Sequence, residues 1–350
     1  MVNLSFVYPF FWLKKKLQWM IGVGSLICVS LYGILAFPNT NTPNRLLVVP
    51  RGCTRYQLKE KLKNESYIKN GTTFLWASYL LRYHPENRPG QYSIMDHMDN
   101  WQMIRMLRGG IQHPVKLTFS TAANKASLID QLVRSVGITK EPLWALLNDA
   151  EKLSIYGFTP ENVLTMFIPD TYEIYWTITA EQLLSKIHLA YQRFWHTTRL
   201  NKAKKIGLSA IDVSILASIV QAETNDPEEA ARIAGVYLNR LKRHMPLQSC
   251  PTLIYALKQK GSGIKRVLEK DTYIDSPYNS YRRKGLPPGP IGLPSVAMID
   301  AVLNYIPHDY LFFSAKEDFS GLHYFAYSYR EHLKNSHKYT KALDKLKIMR

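Results

Sequence analysis

Apolar and polar positions divide the chain into regions of different period. Leu17 to Phe37 (LQWMIGVGSLICVSLYGILAF) carries no charge and has no polar face. Its 21 residues are enough, as a helix, to cross a hydrocarbon core about 30 Å thick. Lys14-Lys15-Lys16 stand on its N-terminal side. A basic flank there predicts a single-pass anchor in the plasma (inner) membrane, with residues 1–16 cytoplasmic and the rest of the chain beyond residue 37 extracytoplasmic. A cleaved signal peptide is the alternative. The apolar run is long for one, and Ala36-Phe37-Pro38 is a poor cleavage site, so a retained anchor is expected.

After a polar, Pro-rich linker at 38–44, the period shortens. Leu46–Val49, Gln91–Ile94 and Val115–Phe119 read as strands. Arg55–Leu62, Thr72–Tyr83 and Asn100–Arg108 read as helices, the last closed by Gly109-Gly110. Residues 45–119 are therefore expected to form a small α+β module. No cluster of acids or bases in it points to chemistry.

Residues 120–350 read as a larger, mainly helical α+β domain. Helical spacing covers Leu128–Val136, Pro142–Ala150 and Ala180–His196. Between the last two lies a dense aromatic stretch, Met166–Trp176, which suits a hydrophobic core and a groove lining equally well. Pro294–Tyr305 reads as a helix, Tyr310–Phe313 and Leu322–Ala326 as a strand pair, and Tyr329 to the C-terminus as a basic helix.

The most informative pattern runs from Ile211 to Pro251. Leu216, Ile219, Val220 and Glu223 fall at i, i+3, i+4 and i+7, which places one carboxylate on the apolar face near the end of a helix. Burial and the negative helix end both disfavour ionisation there and raise the pKa. A general acid working near neutral pH needs that property. A structural glutamate bonded to an arginine or to backbone amides fits the same spacing, so both readings stay open at this point. Asn225-Asp226-Pro227 caps a second helix, whose stripe is Ala230, Ile233, Ala234, Tyr237 and Leu241. Glu228 and Glu229 then have an ordinary role at a positive helix end. Three loops follow, 245–252, 276–281 and 285–292. They are rich in Pro, Gly, amides and hydroxyls, as turns are and as the walls of a sugar cleft can be.

Composition narrows the partners. The formal net charge of +18 suggests an anionic partner or a solvated basic surface. Export past a membrane and the spread of the basic residues argue against nucleic acid. Three cysteines are too few for a disulfide framework, and no spacing suggests a metal site or a cofactor.

The segments ASIVQAET (217–224), IAGVYLNRL (233–241), MPLQSCPT (245–252), SPYNSY (276–281) and GLPPGPIG (285–292), in this order, resemble the endolytic murein transglycosylase family (MltG-type, YceG-like). FIPDTYEIYW (167–176) and GLHYF near the C-terminus add to the likeness, which covers about residues 45–345. The resemblance implies a membrane-anchored enzyme with a LysM-like module at 45–119 and a catalytic domain at 120–350. It implies cleavage of the β-1,4 bond between N-acetylmuramic acid and N-acetylglucosamine within peptidoglycan strands, leaving 1,6-anhydro ends and setting the ends of newly made strands. The peptidoglycan synthesis machinery is an implied partner. The glutamate before threonine in ASIVQAET is the family's catalytic position, here Glu223. Relatives commonly carry an acid two positions earlier, where this chain has Gln221, and many have Asp where it has Cys250.

One carboxylate suffices for such a reaction. Glu223 would protonate the glycosidic oxygen and then take a proton from the muramoyl C6 hydroxyl as it closes on C1. Gln248, Ser249, Tyr278, Asn279 and Tyr281 are the candidates to bind the sugar, each of them also readable as an ordinary loop hydrogen bonder. Two rivals are a two-carboxylate hydrolase using Asp226, Glu228 or Glu229, and a non-catalytic wall-binding protein.

Overall fold

The apolar N-terminal run forms one continuous helix, α1 (Tyr8–Ala36), in a computed structural model that describes residues 8–41, 43–259 and 267–345. Residues 1–7 of the expected cytoplasmic segment, residue 42 of the linker and the last five residues of the C-terminal helix lie outside the described residues. Trp12–Ala36 is long and apolar enough to cross a membrane and leaves its side chains uncovered until the last turn. This apolar helix fits a membrane anchor.

The chain divides into two units, residues 1–116 with 173–177, and residues 117–172 with 178–350. In the first, β1 (Arg45–Val49) is followed by α2 (Arg55–Asn64), α3 (Gly71–Leu80), β2 (Gly90–Ile94) and α4 (Asn100–Gly109). β1 and β2 pair antiparallel, with Leu47 opposite Tyr92 and Val49 opposite Gly90. Their inward residues, Leu47, Val49, Tyr92 and Ile94, close over Leu58, Leu62, Phe74, Ile104 and Leu107 from the helices. Thr54, Asn70 and Asp99 cap α2, α3 and α4 with side-chain oxygens, which satisfies backbone donors that helix starts leave unpaired. α3 stops three residues short of the expected Tyr83. The chain turns there through Arg82 at φ 50°, and Tyr83 enters the core as a loop residue.

The stretch that reads as a polar linker is partly built into this module. Asn39 and Thr40 are buried. Asn39 Nδ2 donates to Asn70 O (2.9 Å) and Asn100 Oδ1 (2.8 Å), and Asn39 Oδ1 accepts from Asn70 N–H. Asn100 Nδ2 donates in turn to Ile34 O at the end of α1 (2.7 Å).

Residues 117–119 of β3 (Val115–Phe119) and 170–172 of β4 (Asp170–Ile174) belong to the second unit, where the hydroxyls of Thr118 and Thr171 lie 2.8 Å apart. Between them lie α5 (Lys125–Leu132), α6 (Lys140–Leu146) and α7 (Ala150–Ser154). The single helix expected over 142–150 is two, because Asp149 caps a new start. Likewise 180–196 ends early as α8 (Ala180–Phe194), and His196 caps α9 (Thr197–Lys205). The aromatic stretch supplies β4, and Phe167 and Tyr172 both pack on Phe119.

The centre of this unit is α10 (Ala210–Glu223), α11 (Pro227–Lys242) and α13 (Val296–Leu303), which pack on one another through Leu216, Ile219, Val220, Ile233, Tyr237, Ile299 and Val302. Each such aliphatic side chain contributes about 1.5–3 kcal/mol on full burial. Gly235 lets α11 approach the 306–308 segment, since a Cβ there would sit 2.8 Å from the Ile306 carbonyl. α12 (Cys250–Gln259) begins inside the expected 245–252 loop. β5 (Phe312–Ala315) and β6 (His323–Ala326) pair antiparallel, Phe313 opposite Phe325, and α14 (Tyr329–Lys345) packs against them.

Candidate active site

α10 starts cleanly. Ser209 Oγ accepts from Asp212 N–H, and Asp212 returns a bond to the Ser209 backbone. It stops at Thr224, whose extended backbone (φ −150°, ψ 152°) turns the chain away. Asp226 Oδ1 then accepts from the N–H groups of Glu228 (2.8 Å) and Glu229 (2.9 Å), and Pro227 opens α11. Glu223 is thus the last residue of one core helix, a short turn before the next.

Its carboxylate is held from two sides. Tyr237 Oη donates to Glu223 Oε1 at 2.7 Å, and Ser249 Oγ donates to the same oxygen at 3.0 Å. Tyr237 is buried in α11 with Phe313 edge-on to its ring. Ser249 is placed by its backbone: its N–H donates to Ser280 Oγ, and the Gln248 N–H donates to Ser280 O. Desolvation by the surrounding protein raises the Glu223 pKa; the bonds from Tyr237 and Ser249 and the charge of His323 pull it partly back. The residue keeps partial solvent exposure, so an acid with a raised pKa faces an opening.

Arg240 builds the wall beside it. Its Nε donates to Leu311 O (2.6 Å), and its Nη1 to Leu247 O (2.8 Å) and Gln248 Oε1 (3.1 Å). These bonds hold Gln248 in a left-handed conformation (φ 50°). On the other side, Gln221 acts as a two-way clamp: its Oε1 accepts from Ser295 N–H (2.7 Å) and its Nε2 donates to Leu293 O (3.4 Å). Ser218 Oγ accepts from Ile291 N–H. A cavity of about 230 Å³, lined by Thr121, Ala123, Ser218, Gln221, Ala222 and Ile291, lies along this side of the α10 end. A second, of about 220 Å³, lies past the turn between Asp226, Glu229, Arg232, Lys316 and His323.

The family profile of the YceG-like proteins matches residues 47–338. The chain belongs to the YceG-like family. It is similar to proteins named endolytic murein transglycosylase from Streptococcus pneumoniae (strain ATCC BAA-255 / R6), 27% identical over 82% of this chain, and from Bacillus subtilis (strain 168), 27% identical over 83% of each chain. This YceG-like chain spans only 57% of the streptococcal protein's length. The crystal structure of a yceG-like protein from Listeria monocytogenes, 25% identical, superposes over 84% of this chain and 99% of its own with a TM-score of 0.52.

Among the loop residues that sequence nominates in this YceG-like chain, the structure brings Ser249 directly to Glu223. Gln248 is exposed and bonded to Arg240. Tyr281 is half-buried, its Oη 3.1 Å from Cys250 Sγ. Tyr278 is buried, its ring 4.8 Å from that of Tyr255. Asn279 is fully buried, and its Nδ2 is committed to Thr272 O (2.9 Å) and Ile274 O (2.7 Å), so it shapes the loop from within.

Sequence reasoning gives no site role to Arg240 or His323, reads Tyr237 only as part of an apolar stripe, and reads Glu229 as a helix-start acid or a hydrolase carboxylate, where the structure buries it against His323. A signal for Tyr237 exists: a phenol in an otherwise aliphatic stripe needs a hydrogen-bond partner for its tip. For Glu229 and His323 the partners are 94 residues apart, and Arg240 is fixed in part by Leu311 O, 71 residues away.

Proposed function

We propose that the chain is an endolytic lytic transglycosylase of peptidoglycan and that Glu223 is its general acid and base. The observation that carries this reading is the pair of hydroxyls, Tyr237 and Ser249, converging on one oxygen of a carboxylate whose pKa burial raises. The acid donates its proton to the glycosidic oxygen between N-acetylmuramic acid and N-acetylglucosamine. The C1–O bond breaks with oxocarbenium character at C1. The ionised Glu223, held by the two hydroxyls, then accepts the proton of the muramoyl C6 hydroxyl as that oxygen bonds to C1. The nucleophile is tethered to the ring it attacks, so little entropy is lost on closure.

Two of the three neighbouring acids are engaged elsewhere, and Glu228 is exposed in the first turn of α11. Asp226 caps α11, and Glu229 is bonded to His323. This favours one carboxylate over a two-carboxylate hydrolysis. Gln248, Ser249 and Tyr281 would face the sugar, with Tyr278 and Asn279 supporting their loop.

In the same reading α1 is a single-pass inner-membrane anchor with a cytoplasmic N-terminus. The β1–α2–α3–β2 module, two helices between two antiparallel strands, is LysM-like and contacts glycan. The catalytic domain acts on nascent strands beside the synthesis machinery and ends their growth. Mass spectrometry of sacculi digested by the purified full chain tests the reaction. 1,6-Anhydro-muramic ends are expected; reducing muramic ends would replace this reading with the hydrolase, and no cleavage would leave a wall-binding protein.

A further inference from the structure

The last turn of α1 is anchored at the meeting point of two other helix starts. Asn70 caps α3 and Asn100 opens α4, and both are bonded to Asn39, while Asn100 also holds Ile34 O. Ile34 and Leu35 pack on the module's core. The N-terminal ends of α3 and α4 therefore sit where the apolar helix ends.

Beside this junction the module exposes large aromatic and apolar side chains. Trp76, Tyr79 and Leu80 lie on one face of α3, at i, i+3 and i+4, with Trp76 63% exposed. Trp101 stands in the first turn of α4, and Phe37 follows α1; both are exposed. Trp76 is about 9 Å along the axis of α3 from Asn70, at ~1.5 Å per residue. Neither helix carries an acidic residue, and the exposed positions of α4 continue as Arg105 and Arg108. Arg55 lies over the Tyr79 ring. Tryptophan and tyrosine with a basic fringe are the side chains that settle at the headgroup level of a bilayer. Anionic headgroups add attraction for the arginines.

We propose that this face, formed by Phe37, Trp76, Tyr79, Leu80 and Trp101, is a membrane-contact surface that rests in the lipid headgroup layer around the exit of α1. The inference rests on the reading of α1 as an inserted anchor. The occupant is lipid because the buried Asn39–Asn100 bond and the bonds to Asn70 and Ile34 fix the starts of α3 and α4, which carry these side chains, against the end of the apolar helix.

The test uses the full chain in phosphatidylglycerol–phosphatidylethanolamine vesicles. A benzophenone amino acid replaces Leu26, Trp76, Trp101 or Ile155 singly, and adducts are read by mass spectrometry after irradiation. Ile155 is 79% exposed in the second unit and serves as the reference. Lipid adducts are expected at 26, 76 and 101, about tenfold above those at 155. Adducts at 26 without adducts at 76 and 101 would overturn the contact surface and leave the anchor standing. No adduct at 26 would overturn the anchor and the inference with it. Adducts at 76 and 101 to a second copy, or to added glycan in place of lipid, would assign the face to that partner and overturn the membrane contact. The four positions are exposed, so melting curves matched to wild type are expected for all variants.

Discussion

Glu229 and His323, 94 residues apart, are joined twice: the backbone N–H of His323 donates to Glu229 Oε1 at 2.7 Å, and its ring Nδ1 lies 3.2 Å from Oε2. Both side chains are nearly buried. The pair pins β6 to the first turn of α11, two helical turns before Tyr237 on the same face. His323 also meets the edge of Phe313, whose ring in turn packs on Tyr237. Removing one member of a buried pair strands the other and costs about 3–5 kcal/mol. His323→Ala is therefore expected to lower the melting temperature by many degrees, and Glu229→Gln by less, because the amide still accepts from the backbone N–H. A His323→Ala variant that melts with wild type would refute the role.

Glu223→Gln keeps an acceptor for Tyr237 and Ser249 but cannot donate a proton to the leaving oxygen. Loss of general acid–base catalysis lowers turnover about 10²–10⁴-fold. The stability change has a defined sign. Burial raises the folded-state pKa, so the stability available to the protonated acid is complete below the unfolded-state pKa and is lost as pH rises through the folded one. The Gln variant should melt above wild type at pH 8, with the gap closing toward pH 4. Retained glycan cleavage with a matched fold would exclude Glu223 as the acid.

Tyr237→Phe removes one of the two donors that favour the ionised carboxylate. The Glu223 pKa then rises further, and the limb on which activity falls with increasing pH moves to higher pH. A hydrogen bond to a charged group contributes about 1.5–3 kcal/mol, so kcat/KM should fall roughly tenfold to a hundredfold. A pH–rate profile of the purified variant decides; an unmoved limb would show that Tyr237 does not act on the titrating group.

Gly289→Ala probes the loop on the far side of the site. A Cβ at this position would lie 1.9 Å from the Glu161 carbonyl oxygen, so the backbone itself must shift. Overpacking of this kind costs about 1–3 kcal/mol. Lower stability together with weaker substrate binding is expected from melting and KM measurements. Gly285→Ala, with open space around it but φ 84°, should show only the backbone penalty.

The α10–α11 hairpin was legible in sequence because its signals are local: Asp226-Pro227 and the i, i+3, i+4, i+7 spacing that ends on Glu223; the Ser209–Asp212 cap at its start plays no part in that reading. The start of α12 was hidden in a segment rich in turn residues, although Pro251 suits a first helical turn. β4 was hidden because aromatic density fits a core, a groove and a strand alike. The shape of the 276–295 loops was out of reach, since Gln221 and Ser218 hold the backbone of 291–295 from about 70 residues away, and Asn279, which reads as a sugar-binding candidate, is spent inside its own loop. Gln221 shows the same limit. Sequence marks it as a missing acid, while the structure uses both ends of its amide, one to accept and one to donate, which an ionised carboxylate cannot do.

The junction of Asn39, Asn70 and Asn100 changes what the short segment after α1 does mechanically. A solvated tether of the same length lets its ends swivel independently. Here side-chain and backbone bonds from the starts of two helices, the cap Asn70 and the first residue Asn100, grip the segment and the last turn of α1. Tilt or rotation of α1 is thereby transmitted to the β1–β2 module as torque, and lateral drag on the module is felt by α1.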